Sequence, residues 1–333
     1  MNQLRSLGLS LSALLLAVVT VAFGQVATQT VRVISLPGRP LPAVVAEQRG
    51  TFAKNGLNVQ VEVAPSSDVL RGALAAGKAD IAHAAVDNAV AMVETAAADV
   101  VIVLGGENSQ NELIAQPGIH SVSELRGRTL IVDALNTAYA LQLKKMLLAN
   151  GLKPDRDYEM KLAGATPLRL KAMRENKDYA ATMLGPPFSI FAKSEGFVNL
   201  GPAEAIIGRS QDKAAIVRRA WAREHTDALV RYLAAYVEAQ RWLLAPPNKE
   251  QVIELLAKES GLPASVAAET YAVSLKGHGG YQVDARLDVD GFKNVLKLRA
   301  EIEGQWGGRA PAAEKYYDLS FYRMALAKLK PTK

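Results

Sequence analysis

The sequence predicts an α/β fold of two lobes, each a mostly parallel sheet flanked by helices, and three observations lead there. Short apolar or alternating runs at residues 31–36, 58–63, 79–85 and 100–104 are separated by segments of helical period. Such alternation favours right-handed crossovers and a largely parallel sheet. The run SSDVLRGALAAGKADIAHAAVDN at residues 66–88 reads as capped helix, tight turn, buried strand and the start of another helix. A weak echo follows: Ala73-Leu74, Gly77-Lys78 and Ala82 align with Ala172-Met173, Asn176-Lys177 and Ala181. Two similar lobes facing one site is the resulting expectation.

Taken in order, residues 1–24 combine Arg5 with a nearly uninterrupted apolar run and small residues before Gln25, the pattern of a cleavable signal peptide. The first strand, at residues 31–36, leads through Pro37-Gly38-Arg39-Pro40 into a helix at 41–48. Residues 58–63 alternate polar and apolar as a strand does, and Ser66 or Ser67 then supplies an N-cap oxygen. Gly77 suits the left-handed residue that ends a helix, before the strand at 79–85 and a helix opened by Asp87 and Asn88. A strand whose carboxyl end opens into a helix makes a crevice, and open α/β sheets bind ligands in such crevices.

Residues 100–104 form a buried strand, residues 105–108 a loop, and residues 112–116 a crossing to the second lobe. There Ser121 and Glu124 have capping-box spacing, residues 129–132 read as a strand, and Asn136 and Thr137 open a helix closed by Asn150-Gly151. Strands at 158–162 and 180–184 flank a helix with Thr166 as cap and Pro167 at its first position. Residues 205–217 carry the return crossing. Helices follow at 226–244, after Asn248, after Asp288 and after Asp318, with no linker to set them apart from the first lobe. The expected division is signal peptide 1–24, lobe one from 25–113 and 215–333, and lobe two from 114–214.

Composition narrows the function. With 333 residues, 49% of them hydrophobic, the chain can build two substantial cores. It has no cysteine, which removes disulfides, thiolate metal sites, cysteine nucleophiles and a lipidated anchor. The formal charge of +6 is scattered among acidic residues, a poor pattern for nucleic acid. Gly72 to Lys78 has the letters of a phosphate-binding loop, but Ala79 replaces the hydroxyl residue and the glycines end a helix before a strand. Asp288-Val289-Asp290-Gly291 falls short of a calcium loop, with Arg286 and Lys297 at the outer ligand positions. The four histidines lack metal-pair spacing, although His278 sits in a glycine-rich loop that can edge a crevice. No cofactor and no metal is expected.

The motifs TFAKNGLNVQVEV, LRGALAAGKADIAHA, HSVSELRGRTLIVDA, KAMRENKDYAA followed by GPPF, and VRRAWAREHTDALVRYLAAYVEAQRWL, in this order and spacing, carry a resemblance. The chain resembles type II periplasmic substrate-binding proteins of ABC importers, the group that binds alkanesulfonates, taurine, nitrate and the pyrimidine precursor of thiamine. One departure is Tyr179, where the group usually has an aspartate matching Asp80. The resemblance implies two lobes joined by two crossing strands and closing on a small ligand. It further implies a periplasmic monomer that serves an ABC permease and its ATPase.

By location, the resemblance places ligand contacts at strand ends: Arg39, Ser66, Ser67, Asp87, Asn88, Asn108, Asn136, Thr137 and Thr166. Helix starts attract anions, which suits a sulfonate or carboxylate head, whereas Asp87 and Glu107 would welcome an amine or ring nitrogen. Capping alone equally explains Ser67, Asn136 and Thr166, and Arg39 equally reads as surface charge. Two further readings stand beside the importer: a cysteine-free lyase of cofactor synthesis on the same fold, and a ligand-binding domain serving a membrane sensor.

Overall fold

The computed structural model describes residues 28–275 and 280–329. The expected signal peptide and His278 lie outside these residues. Among the described residues, ten strands form two five-stranded sheets. In the first, β1 (Gln29–Ser35) pairs in parallel with β2 (Leu57–Val63) and β3 (Ile81–Ala85). The runs IAHAA and VVIVL of β3 and β4 (Val100–Leu104) are wholly buried, because helices cover both faces of the sheet. The chain then enters the second sheet with β5 (Glu112–Ala115), followed by β6 (Thr129–Val132), β7 (Glu159–Leu162), β8 (Tyr179–Leu184) and β9 (Val198–Pro202). It returns with β10 (Lys213–Arg218), antiparallel between β3 and β4.

The two strand orders, β2-β1-β3-β10-β4 and β7-β6-β8-β5-β9, are the same pattern written twice. Each sheet receives, in its fourth place, the strand that has just crossed from the other. The echo in the sequence has a structural basis: Leu74 and Met173 are fully buried on equivalent helices, as are Ala82 and Ala181 on equivalent strands. The turns differ. Gly77 is left-handed, and Asp80 accepts three hydrogen bonds from Arg32 on β1. Asn176 is extended, and Tyr179 packs its ring against the Leu170, Met173 and Phe197 cluster instead of ligating an arginine.

Several local expectations are corrected. Ser66 is the N-cap of helix Ser67–Ala75, accepting from the Val69 amide at 3.4 Å, so Ser67 is free for other work. Thr137 precedes helix Ala138–Ala149 without capping it, Asn136 lies further out, and Ala165 rather than Thr166 holds the cap position of helix Thr166–Glu175. Asn248 turns its amide to the Trp242 carbonyl. Asp288 does cap helix Val289–Glu303, through the Gly291 amide at 3.1 Å. The strand β9 was not anticipated; NLGP is too short and too rich in turn residues to announce a strand.

The long helix Thr226–Leu244 covers one face of the first sheet with Leu229, Tyr232, Leu233 and Tyr236, while helices Ser67–Ala75, Asp87–Ala96 and Val289–Glu303 cover the other. A tight approach sits where β4 ends: a Cβ at Gly105 would lie 2.3 Å from the Arg286 carbonyl oxygen. Gly72, by contrast, has open space around it inside a helix. Gly105→Ala is therefore expected to lower stability by about 1–3 kcal/mol. Gly72→Ala is expected to raise it by up to about 1 kcal/mol. Urea denaturation of both variants checks the pair.

Candidate functional site

Two segments, residues 105–111 and 203–212, carry the chain between the sheets. They run antiparallel and are stitched by backbone bonds from Ser109 N–H to the Ser210 carbonyl (2.8 Å) and from Asp212 N–H to the Glu107 carbonyl (3.0 Å). The Gln211 side chain ties the join to the first lobe: its amide donates to the Glu107 and Lys213 carbonyls, and its oxygen accepts from the Asp288 amide at 2.7 Å. Asn111 donates to Gln142 at 2.8 Å and ties it to the second. Above this join lies a cavity of about 300 Å³, with walls from both lobes.

Its lining is aromatic on several sides. His83 of β3 stacks on Tyr236 (centroids 4.8 Å apart, 16° between planes) and shares a 2.8 Å hydrogen bond with the Tyr232 hydroxyl. Tyr281 from the first lobe, and Tyr139 and Phe188 from the second, complete the ring-bearing wall. Pro37 and Pro187, each after a cis peptide bond, border it. The charged groups are paired within the protein. Lys213 meets Glu107 at 2.8 Å and Asp212 at 3.5 Å, and Arg39 meets Glu47 and lies 3.8 Å from Glu259. Burial opposes the charge on Lys213, but Asp212 and Glu107 outweigh it and hold its pKa well above the usual value.

A smaller chamber of about 10 Å³ adjoins the cavity, with Leu36, Pro37, Tyr139, Thr166 and Lys213 forming part of both walls. It is polar. Asp133, on the loop after β6, accepts from Ser67 Oγ of the first lobe at 2.6 Å and from Thr137 Oγ1 at 2.8 Å. Arg169, 1% exposed, lies 3.9 Å from Asp133 and donates to Thr182, Thr166 and the Gly164 and Met183 carbonyls. Its guanidinium also sits over the Tyr139 ring at 4.9 Å. Asp87 is fully buried; neither carboxylate oxygen has a hydrogen bond from the described residues, and Arg299 is 3.9 Å away.

The nine residues singled out by location fall into three groups. Arg39, Asn108 and Thr166 line the large cavity, and Ser67, Asp87, Asn88, Thr137 and again Thr166 line the chamber. Ser66 and Asn136 line neither: the first is a cap, and the second accepts from Arg71 at 3.1 Å. Sequence reasoning missed Tyr139, Tyr236, Tyr281 and Lys213. The three tyrosines and the lysine carry no local signal that separates a cavity wall from a core or a surface.

Two buried groups give the site opposite responses to pH. Burial lowers the His83 pKa to about 3, and burial raises that of Asp87 to about 7 against the attraction of Arg299. An unfolded histidine protonates first, so the His83 contribution is complete above about pH 6.5 and is lost as pH falls toward 3. The folded Asp87 holds its proton longer, so its contribution is complete below about pH 4 and is lost as pH rises through 7. Asp87→Asn is expected to remove the second slope, a change of at most about 1.4 kcal/mol per pH unit between pH 4 and 7. His83→Gln should flatten the acid limb instead, and urea titrations at a series of pH values separate the two.

The fold has known counterparts. The structure is similar to that of a protein from Bordetella bronchiseptica RB50, with 19% identity, a TM-score of 0.77, and coverage of 90% of this chain and 97% of that one. It is similar to the periplasmic nitrate-binding protein NrtA of Synechocystis PCC 6803, with 16% identity, a TM-score of 0.74, and coverage of 91% and 89%. It is also similar to the alkanesulfonate-binding protein SsuA of Xanthomonas axonopodis pv. citri bound to MOPS, with 17% identity, a TM-score of 0.68, and coverage of 86% and 96%. At these identities the likeness establishes the periplasmic-binding-protein fold. No curated protein sequence matches the chain significantly. A family model described as NMT1-like family matches residues 37–257. With more than half of its length matched by that model, the chain belongs to the NMT1-like family.

Proposed function

We propose that this protein is the substrate-binding component of an ABC importer, capturing a small organic solute reversibly between its lobes and leaving it chemically unchanged. The observation that carries the reading is the 300 Å³ cavity walled by both lobes above a two-segment join. A solute seated there touches Tyr236 and Tyr281 on one side and Tyr139 and Phe188 on the other. Contacts with both lobes exist only when the lobes are closed, and that difference shifts the open–closed equilibrium. The nitrate- and sulfonate-binding relatives of the same fold support the reading.

The rest of the assignment follows from that role. Residues 1–24 serve as a signal peptide, the mature protein works outside the cytoplasm as a monomer, and its partners are a permease and its ATPase. Lobe one is built on β1–β4 and β10 and lobe two on β5–β9, so the boundaries expected at 113/114 and 214/215 move back to the crossings at residues 105–111 and 203–212. The closed form is the one a permease distinguishes from the open form.

A thermal-shift screen of the mature chain against amines, pyrimidines, aromatic carboxylates, sulfonates and nitrate tests the function. A solute of micromolar affinity, about −8 kcal/mol, present at 100 times its dissociation constant should add about 2.7 kcal/mol of stability. The solute should be recovered intact, and the scattering profile should contract on saturation. Phe188→Ala and Tyr281→Ala, one in each lobe, should each weaken binding about tenfold, or about 1.4 kcal/mol. Unchanged affinity in both variants would remove the cavity from consideration, and conversion of the solute to a product would replace capture with catalysis.

A further inference from the structure

The helix starts facing the cleft are where an anionic ligand head is expected, and that position is already filled by the protein. Asp133 is 3% exposed. One of its oxygens accepts from Ser67, the first residue of helix Ser67–Ala75 in the opposite lobe, at 2.6 Å. The other accepts from Thr137, immediately before helix Ala138–Ala149, at 2.8 Å, and has the Arg169 guanidinium 3.9 Å away. Two helix amino-termini, two hydroxyl donors and a buried cation make a seat complementary to negative charge. We propose that Asp133 is a built-in counter-anion occupying this seat, so that the cleft rejects sulfonates, carboxylates and nitrate and selects neutral or cationic solutes. The proposal deepens the capture reading above and rests on it.

The remaining cavity agrees with that selection. Among the described residues, both of its lysine or arginine side chains, Arg39 and Lys213, are paired, whereas three acidic ones, Glu107, Asp212 and Glu259, share its wall. Asp212 Oδ1 and Asn108 Oδ1 are buried and accept from no donor among the described residues. The Asn108 amide nitrogen is already committed to Asp288 at 3.1 Å, which fixes its oxygen as the free end. Unused acceptors beside stacked rings suit a ring-bearing solute with N–H or O–H donors. Among the described residues, an incoming anion would meet carboxylates with no unpaired cation to offset them.

Chemical rescue tests the assignment without knowledge of the natural ligand. Asp133→Ala empties the seat and leaves Arg169 buried without its counter-charge, so the variant should melt below the wild type. Sodium formate or nitrate should raise its melting temperature relative to sodium gluconate, whose anion is too large for the space. The apparent affinity for formate should be at least tenfold tighter than in the wild type, which should not respond. Asp133→Ser keeps a hydroxyl for Ser67 and Thr137, vacates the carboxylate and should show the same gain, so it carries the measurement should the alanine variant fail to fold. Stabilisation of the wild type by nitrate or methanesulfonate equal to that of the variants, or no anion response in either variant, overturns the proposal. Rescue in a protein whose wild type captures no solute would count against the importer reading alone.

Discussion

The closed arrangement depends on one buried carboxylate between two lobes. Asp133 is removed from water, and an unpaired charge in such a place would cost several kcal/mol. Ser67 and Thr137 satisfy it by hydrogen bonds and Arg169 by charge, while Arg169 directs its remaining donors to carbonyls and hydroxyls of its own lobe. Separation of the lobes takes the Ser67 bond away and lets water reach the carboxylate. The contact is therefore satisfied in either state, which is what a hinge with two accessible positions needs.

Several other contacts across the cleft are of the same polar kind. Arg71 donates to Asn136, the Ala165 amide donates to the Pro65 carbonyl at 2.8 Å, Arg299 donates to the Asn136 carbonyl at 3.0 Å, and Lys144 pairs with Glu303 at 2.8 Å. Ion pairs near the surface each contribute roughly 0–1 kcal/mol. The apolar cores lie almost wholly within their lobes: the Leu113 and Met183 cluster belongs to the second sheet and the Ile81 and Leu233 cluster to the first, while Ala165 of the second lobe joins the first-lobe cluster of Leu36, Ala64 and Leu70. Hydrophobic burial holds each lobe rigid, and weak polar contacts join them. A ligand that adds a few kcal/mol of its own contacts is then enough to decide the position of the hinge.

Much of the fold was legible because its elements are set by local pattern. The apolar runs of β3 and β4, the glycine after helix Ser67–Ala75 and the Asp288 cap all follow from period, chirality and one hydrogen bond close in sequence. The site was legible only in part, because its chemistry is long-range. Ser67 and Thr137 have the composition of caps, yet their hydroxyls turn to a carboxylate 66 residues away in one case and four in the other. Tyr232 and Tyr236 lie at helical spacing like core residues, and the hydrogen bond of the first to His83 and the stacking of the second on it appear only when helix Thr226–Leu244 is laid on the first sheet. The return strand β10 was blurred because its pairing is antiparallel to its neighbours, a property of topology and not of the residues in it.

The same topology constrains how the lobes move. Because each sheet takes its fourth strand directly from a crossing segment, a rotation of one lobe is transmitted through β5 and β10 without sliding any helix across a core. The crossings are held to each other by the Ser109–Ser210 and Asp212–Glu107 backbone bonds, so they bend as a pair. That favours hinge rotation over shear, with the φ and ψ change confined to a few residues beside the paired segment. Asn108 and Asp212, which line the cavity and each keep a buried oxygen without a donor among the described residues, sit on that pair itself. A solute bonded to them is held at the axis, where the lobes move least, and its outer atoms meet the lobe walls only as the rotation completes.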